Sequence, residues 1–289
     1  MESRNNSARL AVPAPPEPAA TEHDISTPLN THQEDANNNS LLNFIKPTEF
    51  VDLPSQGRFY SEGHPLYGQN SIEISMMTAK EEDVLTNRSL IKKGVAIDRV
   101  VSSLLVDKNI NVKDLFMGDK NAIVISARAS AYGPDYKTNV TCPGCGNMQT
   151  QVIDLNELLS SSQEVEIPTN VEVNEKKNFI LNLPTTGICA EVKLLNGHDE
   201  ARNVKNKKAE TGLIEMFKRF IVSLNNVTDR NMINQFLEVM PAADSRYLRE
   251  TYAEIVPNID MSQIFECNAC GYEQEMEVPL SADFFWPRS

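Results

Sequence analysis

Basic charge, histidine, tryptophan and long apolar runs are all scarce in this sequence, and each shortage removes a class of function. Lys and Arg total 27 against 40 Asp and Glu, a formal net charge of −13. Phosphate affinity comes from cations that release counterions, so this balance argues against a nucleic-acid partner and favours protein partners. No stretch reaches the run of about 18 apolar residues that marks a spanning helix, and the start, MESRNNSARLAVPAPP, lacks the basic-then-apolar order of a secretory signal. No membrane insertion is expected. A phosphate-cradling glycine loop, a nucleophile elbow and a metalloprotease helix are all missing. Of the histidines, His23 and His32 fall in a polar leader, His64 in a turn and His198 after an Asn-Gly pair. Each reads as a surface or hydrogen-bonding histidine rather than a ligand or base. The acidic run Glu81, Glu82, Asp83 reads as a solvated helix start rather than a general acid and base. The expectation is a protein that is not an enzyme, with no catalytic residue and no small-molecule substrate.

Cysteine is present in an informative pattern. Of five cysteines, four form the pairs CPGCG, at Cys142 and Cys145, and CNACG, at Cys267 and Cys270. The second pair begins 122 positions after Cys145. A CxxC turn offers two thiolates to one ion, and two such turns complete the tetrahedral shell that structural zinc takes. Each pair is flanked by extended segments, KTNVTC with MQTQVI and IFEC with YEQEMEV, which places each at a hairpin tip and together describes a zinc ribbon. Four thiolates leave no open position, so one zinc ion would be structural. Ribbon knuckles commonly lie about 15 to 20 residues apart, so this site requires a large insertion. A redox dithiol and two unrelated turns are the other readings, although neither pair has the strand-to-helix setting of a thioredoxin-type motif. Glu266, Glu273, Glu275 and Glu277 beside the second knuckle speak against nucleic-acid reading by the ribbon. The fifth cysteine, Cys189, is most simply a buried small hydrophobe.

The chain reads as α+β: a mixed domain, a four-cysteine ribbon built from two distant knuckles, and a helical inserted segment. Residues 1–43 lack aromatics and are rich in proline and polar residues, the composition of a disordered tail, either a leader or an arm that orders on a partner. Residues 44–135 form an N-terminal domain, 136–155 and 262–289 the ribbon halves, and 156–261 an inserted strand-then-helix domain. Thr78-Ala-Lys-Glu81 is a capping box that starts a helix. RSLIKKGVAIDRVVSSLLVD carries one amphipathic helix. GDKNAIVISARASAYG carries another, starting at Asp119, with a strand possible through Ile123 and Ile125. EVEIPTNVEV, NFILNLP and ICAEVKLL are expected strands. LIEMFKRFIVSL, NMINQFLEVM and DSRYLRETYAEI are expected helices, the last with Asp244 as its cap. The loop GRFYSEGHPLYG concentrates Arg58, Phe59, Tyr60 and Tyr67, and the end holds Phe284, Phe285 and Trp286. These are residue types of interface hot spots and equally of a core, so they are candidate partner contacts.

In order along the chain, LPSQGRFYSEGHPLYG, MTAKEEDVL, LIKKGVAIDRVVSSL, GDKNAIVISARASAYG and CPGCG resemble the baseplate hub subunit family of T4-like contractile-tailed bacteriophages. The match covers about residues 47 to 146, and the second knuckle with the closing FFWP extends it to the end. The resemblance implies a non-enzymatic component of the phage tail baseplate, assembled with other hub and wedge proteins. Its place would be the virion, reached from the host cytoplasm during assembly. A transient assembly factor that leaves the finished particle would have the same composition. A zinc-ribbon nucleic-acid-binding protein is a further reading, opposed by the charge.

Overall fold

The computed structural model describes residues 46–161, 165–205, 212–278 and 282–285. The expected tail 1–43 and Trp286 lie outside the described residues. The chain opens with a hairpin, β1 (Thr48–Asp52) antiparallel to β2 (Ser71–Ser75), joined by the glycine-punctuated loop. Gly57 is required there, because its φ of 66° is left-handed and an added Cβ would lie 2.3 Å from the Leu66 carbonyl oxygen.

Helices follow: α1 (Ala79–Thr86), α2 (Arg88–Lys92), α3 (Ala96–Leu104) and α4 (Met117–Tyr132). The capping box forms at α1; the Glu81 carboxylate accepts from the Thr78 N–H at 2.9 Å and from its hydroxyl at 2.6 Å. RSLIKKGVAIDRVVSSLLVD is not one helix but α2 and α3, broken at Gly94. That residue has φ 67°, and Val95 N–H returns to Leu90 O at 3.1 Å, closing the first helix with a left-handed cap. Apolar periodicity runs through the break, but only α3 carries buried core residues, Ala96, Val100, Val101 and Leu104, while α2 buries none. The helix expected from Asp119 forms two residues earlier, at Met117. Its apparent alternation has a simple cause: Ala122, Ile123, Val124 and Ile125 are all buried, so α4 is covered nearly all round.

The chain then makes the first knuckle hairpin, β3 (Asp135–Thr141) with β4 (Met148–Asp154), and α5 (Leu155–Ser160). An antiparallel sheet ordered β5-β6-β7-β8 follows, from Glu172–Val173, Phe179–Asn182, Cys189–Val192 and Ile221–Leu224. Only two residues of EVEIPTNVEV pair in it. Between β7 and β8 lie α6 (Gly197–Lys205) and α7 (Leu213–Phe220), and after β8 come α8 (Arg230–Val239) and α9 (Ala242–Ile255). LIEMFKRFIVSL is therefore eight residues of helix followed by four of strand: its last residues pair with β7, and the β-branched Ile221 and Val222 suit that extended backbone. Asp244 does not cap α9, whose cap position is Pro241. Its carboxylate is instead fully buried and accepts from the Thr185 and Thr186 N–H groups at 2.7 and 3.0 Å, tying α9 to the β6–β7 turn. The second knuckle hairpin, β9 (Ser262–Glu266) with β10 (Glu273–Glu277), and a short 3-10 turn at Ala282–Phe285 complete the chain.

Buried side chains gather into two large apolar clusters. The first joins the β1–β2 hairpin, α3, α4 and the end of the chain, with Ile74, Val100, Ile123, Phe284 and Phe285. The second fills the space between the four-stranded sheet and α7 to α9, with Phe179, Phe217, Phe220 and Leu248. The aromatic loop stitches them together, because neighbours point opposite ways: Tyr60 enters the first cluster and Phe59 the second.

Candidate metal centre

The two knuckles are built alike. In the first, Cys142 N–H donates to Asn147 O at 2.8 Å and Gly146 N–H to Cys142 O at 2.9 Å; in the second, Cys267 N–H donates to Tyr272 O at 2.9 Å and Gly271 N–H to Cys267 O at 2.8 Å. Gly146 and Gly271 have φ of 75° and 69°, a left-handed turn that glycine takes without strain. Each tip continues straight into its hairpin ladder, which starts at Thr141↔Met148 in one and Glu266↔Glu273 in the other.

The structure brings the pairs face to face. Cys142 Sγ lies 3.7 Å from Cys270 Sγ, and Cys145 Sγ 3.7 Å from Cys267 Sγ. All four sulfurs lie within 4.8 Å of one another. Zinc–sulfur bonds of about 2.3 Å in a tetrahedron put sulfurs about 3.8 Å apart, whereas a disulfide requires about 2.05 Å. The cysteines are free thiols, two of their distances match that tetrahedral edge and the rest stay within 4.8 Å, so the residues fit such an ion. Cys142 and Cys267 are buried with Phe265, flanked by Val140 and Met276, while Cys145 and Cys270 face outward.

Residues that sequence reading passed over orient this set. Gln149 donates from Nε2 to Glu266 O at 2.7 Å and accepts at Oε1 from Asn268 N–H at 2.8 Å, so one side chain of β4 holds the opposite knuckle. The Tyr272 ring packs on Gly144, where an added Cβ would stand 3.2 Å from Cδ2. Neither residue could be identified in advance, because the contacts cross from one knuckle to the other. The thiols of the second knuckle are shifted in opposite directions by their surroundings. Cys267 is drawn down to about 6, first by the Ala269 N–H, then, against the opposing effect of burial, by the Cys270 N–H and neighbouring thiols. Cys270 goes the other way, to about 12: the Tyr272 N–H favours its thiolate, but the Cys145 thiol, burial and the remaining thiols together outweigh it. Thiolates this close repel unless a positive ion sits between them.

The partner-contact candidates separate by burial. Phe59 and Tyr60 are 6% and 3% exposed, and Phe284 and Phe285 no more than 1%, so these four rings pack internally and offer no docking surface. Phe59 meets Phe179 with centroids 5.2 Å apart, and Phe284 meets Tyr136 at 4.8 Å. Core packing takes Tyr60, Phe284 and Phe285 because hairpin and chain end converge on α4, and Phe59 because the same loop reaches β6, long-range events that composition does not reveal. Arg58 and Tyr67 remain exposed on the loop. Two buried charges anchor the same regions. Asp119 accepts from Ser55 N–H at 2.9 Å, Ser55 hydroxyl at 2.6 Å and Tyr60 hydroxyl at 2.7 Å, and burial pushes its carboxyl up. Arg128 donates to Phe284 O and Gly133 O, each at 3.1 Å, pinning the chain end to α4. His198 hydrogen-bonds Asp114 at 2.8 Å near the surface, His64 stacks on Tyr60 at 4.4 Å, and Cys189 begins β7 half-buried.

Fold and site together define a class: a mixed helix-and-sheet protein in which a cluster of four cysteines brings together chain segments far apart in sequence. Residues 47–286 match the family described as T4 bacteriophage base plate protein. The chain belongs to this family, which gives it a structural role in the phage tail baseplate. No curated protein and no solved structure shows significant similarity to it. Among the described residues no helix is long and apolar enough to cross a membrane.

Proposed function

We propose that this chain is a hub subunit of the baseplate, a non-enzymatic bracket that holds neighbouring hub and wedge proteins in register. One structural zinc ion is bound by Cys142, Cys145, Cys267 and Cys270. The observation that carries this reading is the meeting of two matched knuckles across 122 residues within a baseplate-family chain. Closing that loop clamps the ends of the inserted segment 156–261 between the ribbon halves 136–155 and 262–289. Loops of the 44–135 region are then presented on a stiff frame, with Arg58 and Tyr67 outward. A four-thiolate shell has no position for water or substrate, so the ion contributes rigidity rather than chemistry.

The test is quantitative mass spectrometry of gradient-purified phage particles, with zinc measured on the isolated protein. A fixed low copy number per particle, with one zinc per chain, supports the hub reading. Abundance in infected-cell lysate with none in particles assigns the chain instead to transient assembly of the baseplate.

A further inference from the structure

The edge of β1 carries a pattern that matches itself. Pro47 O accepts from Met76 N–H at 2.9 Å and Leu53 N–H donates to Asn70 O at 2.8 Å, which sets which β1 residues face β2. With the register Glu49↔Ile74 and Val51↔Ile72, the N–H and C=O groups of Thr48, Phe50 and Asp52 point away from the hairpin. On the far side of β2 the corresponding outward group is used, since Val106 N–H donates to Glu73 O. Among the described residues, nothing pairs with the β1 edge. The same alternate residues project their side chains to solvent: Thr48 and Asp52 are exposed and Phe50 is 72% exposed. Glu49 and Val51 turn the other way, Glu49 toward Ser126 and Ser130 of α4 and Val51 into the core. An open edge with an exposed aromatic is a template for strand addition.

We propose that β1 pairs antiparallel with β1 of a second copy of this chain, about a two-fold axis at Phe50. In that register Phe50 lies opposite Phe50 of the second copy, and Thr48 opposite Asp52. Every outward N–H and C=O then finds its partner in a hydrogen-bonded pair. The pairing is complementary in chemistry as well as geometry. An aromatic pair forms at the centre, each carboxylate meets a hydroxyl on both sides of it, and no like charges stand opposite each other. Displacing the register by one pairing step would set Phe50 against Asp52 in one direction and against Thr48 in the other, and either leaves outward groups unpaired. The strand has only five residues, far from the about 1,200 Å² that a standard interface buries, so the contact is weak and forms at high local concentration. It stands whether or not the chain is a hub subunit.

Cross-linking of the full zinc-loaded chain tests this. A hydrogen-bonded antiparallel pair holds its Cα atoms about 5.5 Å apart, inside the about 4.4 to 6.8 Å range of a disulfide. Phe50→Cys should therefore form a covalent dimer under oxidised glutathione, with mass spectrometry locating the bond between the two copies of position 50. Asp52→Cys is the control, because in this register its own copy lies about 13 Å away. Phe50→Pro removes an outward N–H that the β1–β2 ladder does not use, and it should abolish concentration-dependent association in sedimentation equilibrium while leaving the melting temperature unchanged. Dimer yield from Phe50→Cys no higher than from Asp52→Cys overturns the proposal. So does cross-linking of Phe50→Cys only to another tail protein, which would assign the edge to that partner.

Discussion

Removing the thiolate staple should loosen the whole chain, and the size of the effect follows from the loop it closes. Cys267→Ser with Cys270→Ser deletes one knuckle's ligands while leaving its backbone turn and Gly271 in place. The loop between Cys145 and Cys267 spans 122 residues, and closing a loop of that length removes about 5 kcal/mol of chain entropy from the unfolded state at 25 °C. Set against a total stability of about 5 to 15 kcal/mol, the loss is large. At about 2 to 4 °C per kcal/mol for a chain of this size, the melting temperature should fall by about 10 to 20 °C. Scanning calorimetry and metal analysis on the double variant, on the parent stripped with a chelator and on Cys189→Ser make the comparison. The first two should lose zinc and melt early together, and Cys189→Ser should do neither. A double variant without metal that melts within about 3 °C of the parent would refute the staple.

Other positions test the frame around it. Glu81 is lowered from 4.5 to about 2; burial works against this, but hydrogen bonds from Ser103 and Thr78 outweigh it, with Lys46 helping. Because the folded value lies below the unfolded one, its contribution is fully present above about pH 4.5 and is lost as pH falls toward 2. Glu81→Gln should cost on the order of 2 to 3 kcal/mol at pH 7 and flatten that acid limb in urea unfolding at several pH values. Gly118→Ala would set a Cβ 1.9 Å from Pro257 O; urea unfolding should show a loss of about 1 to 3 kcal/mol as the loop before β9 is pushed aside. Tyr60→Phe takes one donor from buried Asp119 and the acceptor from Phe116 N–H; a loss of about 1 to 3 kcal/mol is expected, and an unchanged unfolding midpoint would count against the Asp119 anchor.

Local chemistry was legible from the residues. Thr78 and Glu81 make their cap within a single turn, and each CxxC turn is specified by its own cysteines and following glycine, so both could be read from short windows. The α4 helix was legible in place but ambiguous in period, because burial nearly all round erases the polar face that would show its repeat. Misreadings occurred where a distant element decides. Phe220 and Ile221 adjoin in an unbroken apolar run, yet the helix stops between them because β7 offers Ile221 a strand partner. Asp244 has the composition of a cap, yet its carboxylate serves Thr185 and Thr186 about sixty residues earlier.

The sequence by itself determined the donor chemistry, the acidity that disfavours phosphate, and the local turns and caps, since these depend on residue type and on neighbours within a few positions. Tertiary structure alone decided that Cys142 faces Cys270 and Cys145 faces Cys267, that Gln149 spans the two knuckles, and that Phe59, Tyr60, Phe284 and Phe285 are core rather than contact surface. Burial and pairing depend on which distant segments the folded chain brings within a few ångströms, and the same aromatic or thiol serves inside or outside until that packing is settled.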